Sequence, residues 1–448
     1  MNKYIFFTGL ILTAGLSLFA QTFSLEDARS LALLNSRSLS RANMSITNAS
    51  LNEQSRIYST YLPSLSLGGN ASINLWNASN AKNAPDNPWD TFSANASASI
   101  RESITFQGNR ISIEKAINAM SSESARIDAR IEYFNVLDSA DSAYYAVLKA
   151  MASLEAEENS LQTANISYSM AEIRMASGML NPGDFLKAQS DLEVRKNAYN
   201  QAKRNLTLAV TKLKFLLGLD AIPQPEQIDF SGYEDLTIQL ANISEENADA
   251  VYRKFLQLLY TSNPTFLKAG ISDLRAEKNL SLAKLGYAPT LTGTFSTGVN
   301  YSYKDGFYYN AGTLSLSLNV PLDIWVTANN VEKSKISRES AAMDYRGAEI
   351  TLQTDLQSTL LDCIGNAATI LSNRLSLEYA EKNFEYTMER YKLSQSSVKD
   401  QSDAESLLIS SRQNLINAQY NFLQNLSKLR SMGAIDDEQK LISILMGN

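Results

Sequence analysis

Four short stretches of the chain alternate strictly between apolar and polar positions. In residues 64–76, Leu65, Leu67, Gly69, Ala71, Ile73 and Leu75 fall on one side, with Ser64, Ser66, Gly68, Asn70, Ser72 and Asn74 on the other. Residues 92–100 set Phe92, Ala94, Ala96, Ala98 and Ile100 against Ser93, Asn95, Ser97 and Ser99. Further on, Leu291, Gly293, Phe295, Val299 and Tyr301 face Thr290, Thr292, Thr294, Ser296 and Asn300. Then Leu314, Leu316, Leu318 and Val320 face Thr313, Ser315, Ser317 and Asn319. Successive side chains of a strand point to opposite faces. The alternation therefore predicts strands over about 62–76, 91–106, 288–302 and 309–322.

Elsewhere the period is helical. Residues 24–58 carry Leu, Ala and Ile at helical spacing without Pro or Gly, and Pro63 ends the segment. Residues 109–176 and 327–392 continue with no Pro and almost no Gly. At about 1.5 Å per residue each would be roughly 100 Å long. Helices of that length need neighbours along their whole course, as in a coiled coil. A seam can be counted in sevens: Phe185, Leu192, Tyr199, Leu206 and Leu213, then Leu408, Leu415, Phe422 and Leu429. Small residues accompany it at Ala188, Ala202 and Ala209, and at Ala404, Ser411 and Ala418. That is a packing seam between antiparallel helices, not a cofactor site.

The layout is written twice. "YLPSLSLGGN" (61–70) is echoed by "YAPTLTGTFS" (287–296), and "RMASGMLNPGDFLKAQSDL" (174–192) by "RYKLSQSSVKDQSDAESLL" (390–408). Each copy reads helix, strand, strand, very long helix, tight turn, helix. The expected division is a first repeat over 21–220, a partly ordered linker over 221–245 and a second repeat over 246–448. The turns at the far ends of the long helices, the tips, fall near 175–184 and 391–400.

Composition narrows the function. The chain of 448 residues has no histidine and one cysteine, Cys363. The usual zinc sites and His-dependent nucleophilic catalysis are thereby excluded, and no Gly-rich phosphate loop is present. An enzyme is not expected, nor a metal or cofactor. A net charge of −7 argues against nucleic acid as a partner. Residues 1–20, with Lys3, an apolar core and Ala20, read as a secretory signal. No later apolar run is long enough for a transmembrane helix.

Alternating strands also suit a half-buried soluble sheet, but two features favour a membrane barrel. The polar positions are uncharged Ser, Thr and Asn almost throughout, which suits a wet lumen better than an open surface. Aromatic residues gather at the strand ends: Trp76, Trp89, Phe92, Tyr301, Tyr303, Phe307, Tyr308 and Tyr309 at one end, Tyr61, Phe106, Tyr287 and Trp325 at the other. Such girdles mark outer-membrane barrels. Four strands do not close around a lumen, so several chains must contribute. A secreted coiled-coil filament or stalk protein is the competing reading. It accounts for the helices but not for the strands or the duplication.

Taken in order, these features resemble the TolC-like outer-membrane factor family. The resemblance rests on "YLPSLSL" before the first strand, "VPLDIW" (320–325) after the last, "LLGLD" (216–220) and both tips. It implies a mainly α fold with a transmembrane β-barrel part: a homotrimer whose twelve strands form one barrel in the outer-membrane lipid. It also implies a long periplasmic helical tunnel whose end opens like an iris. The expected role is a passive exit duct of a tripartite efflux pump or type I secretion system. Its partners would be a periplasmic adaptor and an inner-membrane transporter. The same resemblance makes Asp400 and Asp403 an entrance ring beside Ala404, and Asp184 and Tyr391 part of a closure network. Arg174, Gly178, Arg390 and Ser394 mark the adaptor-docking tips. The family pattern has a glycine where Ser394 stands and an arginine where Ser396 stands. Lys187, opposite Asp403 in the repeat register, is the expected source of the missing positive charge. Local structure offers a simpler account of the same acids. Ser402 with Glu405 fits a helix-capping box, and Asp400 or Asp403 fits a first turn.

Overall fold

A computed structural model describes residues 23–73, 92–222, 224–302, 306–393 and 395–446. The helices are α1 (Leu25–Asn35), α2 (Arg37–Tyr61), α3 (Arg110–Ala176), α4 (Pro182–Leu217), α5 (Glu234–Ala241), α6 (Glu245–Ser262), α7 (Pro264–Lys284), α8 (Ile324–Lys392), α9 (Val398–Gly433) and α10 (Glu438–Leu445). The strands are β1 (Ser64–Ser72), β2 (Ser93–Phe106), β3 (Thr290–Ser302) and β4 (Gly306–Asn319). The chain is mainly helical with one sheet, as the two periodicities predict. The expected signal at 1–20 and the girdle residues Trp76, Trp89 and Tyr303 lie outside the described residues, as does Ser394.

The strands form one antiparallel sheet in the order β1-β2-β3-β4, so β1 and β4 are its edges. Its register keeps like with like: Leu65 opposes Ile100 and Leu67 opposes Ala98, while Leu291 lies between Phe106 and Leu318. One face is therefore apolar except at Glu102, which opposes Phe295, and Leu65, Leu67, Leu314, Leu316 and Leu318 on it are exposed. The other face is a ladder of hydroxyls, with Ser66 and Ser99 at 2.6 Å and Thr105 and Thr292 at 3.4 Å. A bulge interrupts β3 between Ser296 and Gly298. Only glycine fits there, because a Cβ at 298 would lie 2.6 Å from the Ala98 carbonyl oxygen. β4 starts and stops three residues before the expected 309–322: it pairs immediately after the turn, Gly306 with Ser302, and Pro321 brings no N–H to extend it.

The first helical segment is two helices rather than one. Ser36 ends α1 and caps α2, its side chain accepting from the Leu39 N–H. Asn35, freed by the break, donates to the Leu217 carbonyl at the end of α4 at 2.6 Å. The second copy repeats the device: Asn263 caps α7 and donates to the Met432 carbonyl near the end of α9 at 2.9 Å. So the end of α4 meets the α1/α2 break beside α3, and the end of α9 meets the α6/α7 junction beside α8. Paired short helices accompany each long one, 67 residues for α3 and 69 for α8.

The main core lies where these junctions meet the linker. Tyr144, Phe255, Phe422, Leu213, Leu217, Leu240, Leu259 and Leu356 are fully buried there. The Tyr144 hydroxyl reaches the carbonyls of Phe23 and Glu226 at 2.8 and 2.9 Å, tying the first described residue to the linker. Along α4 and α9, from tip to core, the counted seam is buried at Leu192, Leu213, Leu408, Phe422 and Leu429, with Ala188, Ala202, Ala404, Ser411 and Ala418 beside it. The α3/α4 hairpin meets the α8/α9 hairpin chiefly through α3 and α9.

Candidate functional site at the helical tips

Each tip is built from a helix end that turns sharply and a helix start that is capped. At the first, Gly178 takes a left-handed φ of 70° with open space around it. That conformation lets the Met179 N–H return to the Arg174 carbonyl at 2.8 Å and the Gly178 N–H to Met175 at 3.0 Å. This is the double bond of a glycine-terminated helix. At the second tip the Gln395 N–H returns to the Arg390 carbonyl at 2.8 Å. The two turns share a route although glycine is present in only one.

The helix starts differ. In α4, Asn181 caps the Asp184 N–H at 2.9 Å and donates back to the Asp184 carboxylate at 2.5 Å. In α9, Ser397 caps the Asp400 N–H, and Asp400 accepts from the Ser397 N–H at 3.1 Å and the Ser396 hydroxyl at 3.2 Å. The capping box is thus Ser397–Asp400. Ser402 and Glu405, expected in that role, lie inside the helix, since both spacings satisfy the same pattern and only the first coincides with the turn. Hydrogen bonds from Ser397 hold the Asp400 carboxyl below the usual carboxylate range. Asp403 is exposed and pairs with Lys399 of its own helix at 3.7 Å.

Tyr391 is buried among Ala171, Ala188 and Val398. The Arg174 guanidinium sits 4.5 Å from its ring centre and donates to the carbonyls of Tyr391 and Lys392. The Tyr391 hydroxyl is buried without a hydrogen-bond partner among the described residues. Burial raises its pKa, with Asp184 adding to the rise. Asp184 itself is engaged by Asn181, so the two expected closure residues are neighbours without a direct bond. Arg390 instead donates to the Gln395 carbonyl at 3.0 Å. Lys187 does not neutralise Asp403. Its ammonium holds Asp191 one turn along α4 at 2.6 and 2.7 Å and donates to Ser402 at 3.1 Å. An i,i+4 partner on the same helix is within easy reach of the lysine, and repeat register does not imply contact.

Behind the tip lies a layer that sequence reasoning missed. Glu405 of α9 is buried, accepting from Ser160 of α3 and from Gln401, each at 3.0 Å. Arg195 of α4 stands 3.6 Å from it and donates to Ser406 at 3.0 Å. Nearer the core, Asp141 of α3 is completely buried. It accepts from Arg29 at 2.6 and 2.9 Å, from Ser427 at 2.7 Å and from Arg430 at 2.8 Å. The signal was a charge at a buried position: 398, 401, 405 and 408 share one face of α9, as 137, 141, 144 and 148 share one face of α3. Among the described residues no His/Cys/Asp/Glu group is arranged to hold a metal, and no helix is long and apolar enough to cross a membrane.

Comparison with known proteins places this architecture. A family profile described as "Outer membrane efflux protein" matches residues 28–219 and 255–433, which takes in most of both copies. Outer membrane protein TolC of Escherichia coli (strain K12) is 22% identical over 356 residues, covering 76% of this chain and 67% of that protein. TolC of Vibrio cholerae is 22% identical over 312 residues, covering 68% and 69%. In structure, the Campylobacter jejuni CmeC outer membrane channel gives a TM-score of 0.74 at 16% identity over 96% of this chain and 94% of that one. The outer membrane protein VceC of Vibrio cholerae gives 0.74 at 16% identity, over 91% and 96%. The structural likenesses show a shared fold, and the profile shows more: the chain belongs to the outer membrane efflux protein family.

Proposed function

We propose that this protein is the outer-membrane exit duct of a tripartite efflux or type I secretion machine, conducting substrate passively and catalysing nothing. Its sheet carries the reading: four strands with an apolar outer face, a hydroxyl-lined inner face and two edges open to further strands. Unpaired edges are a liability that closure removes, and three copies would supply twelve strands to one barrel. The helices support the same assembly. Met44, Leu51 and Tyr58 of α2 and Ile336, Met343 and Ile350 of α8 each recur in sevens and are exposed in the single chain. Stripes of that spacing are seams without a partner helix.

In this reading the sheet lies in the outer membrane and the paired hairpins extend into the periplasm. Arg174, Gly178 and Arg390 sit at the end an adaptor would dock, and Ser394, outside the described residues, is expected with them. Asp400 and Asp403 would ring the entrance three-fold. Asp400 is committed to its cap, so Asp403 carries the freer charge. The test is fractionation followed by the mass of the detergent-extracted particle. A three-chain particle from the outer membrane is expected. A monomer or an open filament from the soluble fraction would contradict the proposal.

A further inference from the structure

Between the tip and the core, the two hairpins are joined by few side-chain bonds. Ser153 and Gln413 meet at 3.1 Å and carry no charge. The layer around Glu405 is charged, and its charges do not balance. Arg195 of α4 stands 3.6 Å from Glu405 of α9 and also acts electrostatically on Glu157 of α3. Asp191 of α4 adds a third carboxylate to the surroundings of Glu405, but it is already neutralised by Lys187. From α8, Glu381 faces the same layer and is paired with Arg412 of α9 at 3.2 Å. Two buried or half-buried carboxylates thus share one guanidinium, and one oxygen of Glu157 is buried with no hydrogen-bond partner among the described residues. A cleft of about 490 Å³, lined in part by Ala156, Ser160, Glu405, Leu408 and Arg412, adjoins the site. A small separation of the helices would let water reach the carboxylate.

We propose that Glu405 is a proton-operated latch between the two hairpins: protonated, it holds α9 against α3 and α4; ionised, it favours their separation. Ionised, its carboxylate is enclosed by three helices with a single shared cation, and hydration in the parted arrangement relieves it. Protonated, it keeps its bonds to Ser160 and Gln401 and no longer competes with Glu157 for Arg195. Burial raises the pKa of both glutamates despite Arg195. The sign follows from linkage. The packed arrangement binds the proton more tightly than the parted one, so acid favours packing and rising pH favours parting. Each unit of pKa difference between the arrangements changes their ratio roughly tenfold. The latch is a property of one chain, and only its effect on flow rests on the duct reading.

Spin labels at Met179→Cys and Leu393→Cys, one exposed residue in each tip turn, report the separation of the hairpins in the full-length protein. Cys363 is buried and stays unlabelled. The distance is expected to lengthen between pH 5 and pH 8 by about 1–5 Å, the scale of helix shifts at packed interfaces. In Glu405→Gln it should hold its acid value throughout, and Glu157→Gln should retain a reduced response. An unchanged distance across this range, or a Glu405→Gln protein that responds like the parent, overturns the latch. The second result would assign the response to other groups, such as the tip aspartates. Retention of helical circular dichroism confirms that each variant folds. Conductance measured on the same samples separates the readings: a pH-dependent distance without conductance contradicts the duct and leaves the latch standing.

Discussion

The seam between the hairpins is fastened differently at its two ends. Near the core, Asp141 is surrounded by two arginines and a hydroxyl, with Arg29 gripping both its oxygens. Near the tip, Glu405 shares one arginine with Glu157. Both carboxylates are buried, so burial alone does not separate them. What differs is the bonding around each. Asp141 accepts four hydrogen bonds, three of them from guanidinium N–H groups, and these tie α1, α3 and α9 together. Glu405 accepts two from neutral donors, with its one guanidinium at 3.6 Å, and burial raises its pKa. The proposed latch needs the first kind of fastening at the core end and the second at the tip.

The sharpest way to break this comparison is Asp141→Ala. It leaves Arg29 and Arg430 without their buried counter-charge and should cost about 3–5 kcal/mol in chemical denaturation. A loss below about 1 kcal/mol would show that the core end is not anchored there. Smaller is the coupling between Arg195 and Glu405. A double-mutant cycle should give about 1 kcal/mol at pH 8, falling as Glu405 takes up its proton. Smallest is Glu405→Gln, within about 0.5 kcal/mol of the parent in acid, but with a different pH dependence. Because the folded-state pKa of Glu405 is raised, its contribution is fully present below the ordinary glutamate value and is lost as pH rises through the raised one. Glu405→Gln removes that loss. Asp400 has the opposite sign. Its pKa is lowered by the cap, so its contribution is present at neutral pH and lost in acid, and an acid titration of stability separates the two.

How much of this was legible in the sequence depended on range. The strands, the sevens and the two tips rest on periodicity and on turns, which are local, and the fold class followed from them. The break at Ser36 was missed because its support is distant: Asn35, the last residue of α1, bonds Leu217, 182 positions away. Ser402–Glu405 and Ser397–Asp400 offer the same capping pattern, and only the position of the turn distinguishes them. Lys187 found Asp191 on its own helix rather than Asp403 across the seam. Glu405 and Asp141 stood at positions a helical wheel assigns to the interior. Which groups partner such a charge depends on residues from other helices, which no single segment reveals.

The central claim, that this chain builds a conducting duct, is tested most directly by single-channel recording of the purified protein in planar bilayers, with and without divalent cations. The account predicts a stable conductance that divalent cations reduce from the tip side, with Asp403→Ala removing more of that block than Asp400→Ala. A protein that inserts as an assembly yet passes no current would contradict the duct. Block that survives Asp403→Ala and Asp400→Ala together would contradict the entrance ring.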